Sequence, residues 1–176
     1  MRYAALVLAL AGAALLTGCS SLISLNPFVA DGQTTTDPRL VGTWIGAGSD
    51  DKSGMAIQQK GPIYTIHYSD EKDSIDFECR LTRVGDAELM DVITTSGLAF
   101  GIPVHMAVRV WPESGKLKWV FLESDWFRQQ AKQSLATQPS SDATLITTQG
   151  DPVVQFLKKF GADARAYGET NVLVKK

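Results

Sequence analysis

Residues 103–123 read PVHMAVRVWPESGKLKWVFLE. Val104, Met106, Val108 and Val110 share one side of the first half, and Leu117, Trp119 and Phe121 share one side of the second. Strict alternation is the period of a strand with one buried face, because successive side chains point to opposite sides of the pleat. Between the halves, Pro112-Glu113-Ser114-Gly115 supplies a fixed φ, short polar groups and a residue that tolerates positive φ, which together make a turn. The stretch predicts an antiparallel hairpin with one apolar face.

The same pattern extends in both directions. Upstream, Leu40 to Ala47 is followed by a polar loop, and Gly61-Pro62 separates Met55–Lys60 from Ile63–Tyr68. Ile75 to Val84 sets Phe77, Cys79 and Leu81 on one face, and Gly85-Asp86 turns into Glu88–Thr94. Downstream, Ser124-Asp125 caps a helix over Trp126–Leu135. A polar loop over 137–143 and a short strand over Thr144–Thr147 come next. Asp151-Pro152 opens a second helix, with proline in the first turn where no donor is needed. Its apolar residues Val153, Phe156, Leu157 and Phe160 recur at helical spacing, and Asn171–Lys175 reads as a closing strand. Short strands with a turn signal every 8–12 residues or so predict a mostly β domain, a small antiparallel calyx-like barrel with two accessory helices over residues 39–176.

The first residues have a different character. Met1-Arg2-Tyr3 carries one positive charge, and Ala4–Leu16 is a run of apolar and small residues ending in Leu16-Thr17-Gly18-Cys19. This run of thirteen residues falls short of the roughly 20 needed to span a bilayer but fits a secretory h-region. The closing four resemble the lipobox of bacterial lipoproteins. That resemblance implies a signal peptide over 1–18, cleavage between Gly18 and Cys19, and lipid on Cys19, whose thiol has the nucleophilicity to form a thioether. Two or more acyl chains hold a protein stably at a surface. In that family a Ser after the Cys permits transfer to the outer membrane, and here it is Ser20. The expected location is the cell envelope, lipid-anchored, at the outer rather than the inner membrane and facing the periplasm. Residues 19–38, rich in Ser, Thr, Asn, Gly, Pro and Asp, read as a flexible tether spanning about 25 Å.

Leu40-Val41-Gly42-Thr43-Trp44 resembles the opening strand of lipocalins, in which a Gly-x-Trp motif follows an N-terminal crossing segment. The resemblance implies that Trp44 packs over one end of a barrel. The two expected helices, one of them interrupting the strand order, depart from the lipocalin pattern of a single helix after the barrel strands.

Composition excludes several functions. The formal charge of −2 becomes −3 once Arg2 leaves with the signal, and a weakly acidic chain without a basic cluster does not suit nucleic acid. Cys79 has no partner once Cys19 is lipidated, so it reads as a small core residue. His67 and His105 lie on strands with no second ligand at metal spacing, and Asp70, Asp73 and Asp76 lack the pattern of a calcium loop. No metal and no cofactor beyond the covalent lipid are expected. The chain also lacks the nucleophile-elbow, zincin and phosphate-loop motifs. With a carboxylate beside it, His105 would be the one general base on offer, but the expectation is a protein that is not an enzyme.

What remains is aromatic. Trp44, Tyr64, Tyr68, His105 and Trp119 are the candidate ligand contacts inside a barrel, and the apolar loop Ser96–Pro103 is a candidate lid or docking surface. The expected function is a non-enzymatic binding module for a small apolar ligand or lipid. The alternative is an accessory or structural subunit that binds another envelope protein.

Overall fold

The computed structural model describes residues 21–48, 53–94, 102–140 and 143–176. The signal peptide with Gly18 and Cys19 lies outside the described residues, as does most of the Ser96–Pro103 loop. The strands are β1 (Ser21–Ser24), β2 (Gly42–Gly46), β3 (Gly54–Lys60), β4 (Ile63–Ser69), β5 (Ser74–Val84), β6 (Ala87–Thr94), β7 (His105–Glu113), β8 (Lys116–Phe121), β9 (Thr137–Pro139), β10 (Ala143–Ile146) and β11 (Asn171–Lys175). The helices are α1 (Asp125–Ser134) and α2 (Asp151–Phe160).

Eight strands close into an antiparallel barrel. β2 to β8 follow one another as a meander, with β6 pairing β7 from Glu88–Val110 to Ile93–His105. The last stave arrives from the end of the chain: β11 lies between β8 and β2, opposing Val172 to Lys118 and Val174 to Ile45. Closure leaves none of the eight staves as a free edge. The hairpin read from residues 103–123 is present, with a tighter turn than expected. Pairing runs to Glu113–Lys116 and leaves Ser114 and Gly115 as the two loop residues, at φ 51° and 76°. Positive φ at both positions matches the right-handed twist of the flanking strands.

Among the described residues, side chains pack in two large cores and a small cluster of Ile23, Val104 and Ala143. Inside the barrel are Ile57, Tyr64, Ile66, Cys79, Leu81, Met90, Val92, Val108, Val110, Leu117 and Leu173, with Leu40 and Trp44 at one end. The second core lies outside the wall, where Phe127 and Ala131 of α1 and Val153, Phe156 and Leu157 of α2 cover Val84, Ala87, Leu89 and Ala107. The Ser124 hydroxyl accepts from the Phe127 N–H at 3.3 Å, capping α1 as expected. β6 is therefore buried on both faces, and its sequence AELMDVIT shows little alternation.

The segment read as a tether over 19–38 belongs to the fold from Ser21 onward. β1 runs parallel to β10 over four register pairs and meets β7 at Ser24–His105. Leu22, Ile23, Phe28 and Val29 are all buried, and Thr35 bridges to Leu81. The polar composition was misleading because these few apolar residues all find long-range partners, Leu22 and Phe28 in the core under the helices. Thr137–Pro139, expected in a loop, forms a short strand on β10.

Candidate functional site

The barrel has two unlike ends. One carries the tight turns at 61–62, 85–86 and 114–115 and is capped by the chain entering β2. Asp37 opens a short 3-10 turn over Pro38–Leu40. The Trp44 Nε1–H donates to the Leu40 carbonyl at 2.9 Å, and both residues are buried. The Tyr64 hydroxyl accepts from the Asp37 N–H at 2.7 Å and lies 3.2 Å from the Asp37 carbonyl oxygen, to which it donates. Burial pushes the Tyr64 phenol up, so it stays neutral. Burial also acts to raise the Asp37 carboxyl, but hydrogen bonds from the Arg39 guanidinium and backbone N–H outweigh it and hold the group below its ordinary 3.8. These contacts pin the entering chain across the barrel floor.

Above the cap lies a cavity of about 200 Å3 whose lining surface is apolar throughout. Leu40, Val110 and Leu117 lie toward the capped end. Met55, Tyr68, Ile75, Phe77 and Trp119 line it near the opposite, loop end, one residue from the rim positions Gly54, Ser69 and Ser74 in the case of Met55, Tyr68 and Ile75. Trp119 meets Phe121 edge-on at 5.3 Å, and its Nε1–H is buried without an acceptor. Cys79 is in the wall at 1% exposure, where burial drives its thiol far above the ordinary range, so it is inert. A wall of this kind offers dispersion contact and exclusion of water but no hydrogen bond, so what it can hold is hydrocarbon.

The cavity brings together two of the five residues expected to contact a ligand, Tyr68 and Trp119. Trp44 and Tyr64 belong to the cap and do not line it. His105 occupies the opposite face of β7 from Met106, Val108 and Val110, so it points out of the barrel. Its Nδ1 lies 2.9 Å from the Asp91 Oδ1, in a pair of which the Asp91 side chain is 2% and the His105 side chain 14% exposed. This places His105 against a carboxylate, but beneath β1 and away from the cavity. The nearby Ser24 hydroxyl is turned to the Asn26 carbonyl at 2.7 Å. The other histidine, His67, pairs with Asp76 at 2.7 Å on the exposed outer wall. Among the described residues no three His, Cys, Asp or Glu side chains converge as a metal site, and no helix is long and apolar enough to cross a membrane.

Met55, Ile75 and Met90 were missed as contacts. The available signal was parity: Ile75 lies on the face shared by Phe77, Cys79 and Leu81, and Met55 on that of Ile57. Compared with protein-family models, with curated proteins and with solved structures, the chain matches none.

Proposed function

We propose that the protein is an envelope lipoprotein, anchored through Cys19, whose lipocalin-like barrel binds a small apolar ligand or lipid. The cavity carries the binding half of this reading. Small barrels ordinarily fill their interiors with side chains, yet this one keeps about 200 Å3 open against a wholly apolar wall. An apolar cavity of roughly 150 Å3 stays dry and takes benzene. The space here suits a compact hydrocarbon or one end of an alkyl chain, each buried CH2 contributing about 0.8 kcal/mol. Met55 and Met90 give the wall adaptable surface, which fits a ligand of variable shape. Leu16-Thr17-Gly18-Cys19 supports the anchor, and Ser20 supports the outer membrane, with the barrel facing the periplasm.

The test of binding is native and denaturing mass spectrometry on residues 21–176 purified from the periplasm. A small molecule that copurifies and is lost on denaturation is the expected result. A barrel that arrives empty and does not take up palmitate would overturn the ligand reading in favour of an accessory subunit. For the anchor, Cys19→Ala should abolish metabolic labelling by palmitate and free the protein from membranes. Retention of the variant on washed membranes would remove the lipoprotein reading.

A further inference from the structure

Cys19 and the first strand are separated by one residue, Ser20. Two Cα–Cα steps cover at most about 7 Å in any conformation. Ser21 is held by β1, which pairs with β10 from Ser21–Ala143 to Ser24–Ile146 and buries Leu22 at 3% and Ile23 at 6% exposure. A lipid on Cys19 is therefore joined to a fixed point of the fold.

The strand that holds it ends at the loop end of the barrel. β1 meets β7 at His105, the first residue of that stave, and Ile23 packs with Val104 just before it. Among the described residues, two of the three large apolar side chains left exposed lie within three residues of the Ser24–His105 pair: Leu25 at 38% and Ile102 at 47%. The third, Ile45 at 41%, is on β2, three staves away around the ring, and does not belong to this surface. Residues 21–30 contain no charged side chain, and 102–106 contain only His105, which is tucked against Asp91. The β4–β5 turn at the same end, toward the far side of the ring, carries Asp70, Glu71, Lys72 and Asp73. The described rim is thus uncharged over 21–30 and 102–106, carries Glu123 and Asp125 where β8 leaves the ring, and is acidic at the β4–β5 turn.

We propose that the barrel rests directly on the bilayer, with Leu25 and Ile102 dipping into the lipid beside the anchor and the loop end of the cavity tilted toward the membrane. The inference rests on the lipoprotein reading. It goes beyond it in naming the docked face and in excluding a domain that swings free. Contact is apolar, so zwitterionic lipid suffices and anionic lipid adds nothing. A hydrocarbon leaving the bilayer would then reach the cavity over a short path.

The experiment uses the full lipidated protein in phosphatidylcholine vesicles that contain acyl chains bearing a nitroxide quencher. An environment-sensitive fluorophore is placed at Leu25→Cys, at Ile102→Cys or, as the remote reference, at Ser114→Cys in the turn at the capped end. Cys79 is buried and does not compete for label. Probes at 25 and 102 should be quenched several-fold more than the probe at 114, equally with and without phosphatidylglycerol. Acylation of Cys19 is measured by mass on the same samples. With Cys19 acylated, equal and weak quenching at all three positions would overturn the docked face and leave the lipoprotein reading standing. A chain of unmodified mass at Cys19 would remove the reading itself.

Discussion

Tyr64 and Tyr68 are both on the inward face of β4 and differ only in height. Four residues of strand separate them, about 13 Å. That distance puts Tyr64 in the cap, with its hydroxyl on Asp37, and Tyr68 beside the cavity near the rim. Tyr64→Phe leaves the Asp37 N–H and C=O buried without that partner. It should cost about 1–3 kcal/mol in urea denaturation. A change much smaller than this would mean that the chain entering β2 is held by other contacts. Acid acts on the same place. The Asp37 carboxyl is held below its ordinary 3.8 by Arg39, so its stabilising contribution is complete above that pH and fades as the pH falls below it. The stability gap between the protein and Asp37→Asn should be constant near neutrality and shrink in the acid range below 3.8; a gap unchanged there would detach the carboxylate from the cap. Strand alternation set the facing of these aromatics. Their height in the barrel depends on strand register, which no local pattern encodes, and that is why Trp44 and Tyr64 were grouped with Tyr68 and Trp119. His105 is a different case, because its own parity against Met106 and Val108 already turned it outward.

Among the elements, those with one wet face were the legible ones. β3, β4 and β5 alternate and were found within a residue or so of their ends, as was α2 with its proline in the first turn. The N-terminal segment was misread for a physical reason: its apolar residues are few, and the surfaces that bury them come from β10 and the helices, more than a hundred residues later. Phe28 decides between a tether and a built-in element. It is 1% exposed within the core under α1 and α2. Phe28→Ala should therefore lower stability by about 3–5 kcal/mol, measured by thermal or urea unfolding of the soluble domain. A variant as stable as the parent would restore the tether.

For the molecule as a whole, the ring depends on its last stave. β8 and β2 are neighbours only through β11, which hydrogen-bonds to both. Removing residues 171–176 exposes two strand edges at once, and unpaired edges template association. The truncated chain should lose its cooperative unfolding transition and elute as oligomers in size-exclusion chromatography. A monomer with an intact transition would show that the ring tolerates a gap. The fold class was readable because strand count and turn spacing are local properties. The closing strand Asn171–Lys175 was readable as well, but its two neighbours were not, since they lie at residues 44–46 and 116–119.

A ring completed by its final residues also sets the order of events in time. Pairing Val174 with Ile45 joins positions at nearly opposite ends of the folded chain, and such distant contacts form slowly because loop closure comes before any reward. A chain in which β11 has not yet been made can form the β2–β8 meander but cannot close it. Until β11 pairs with both neighbours, the apolar interior remains an open, curled sheet. The cavity therefore exists as an enclosed space only once residues 171–175 have paired with β2 and β8.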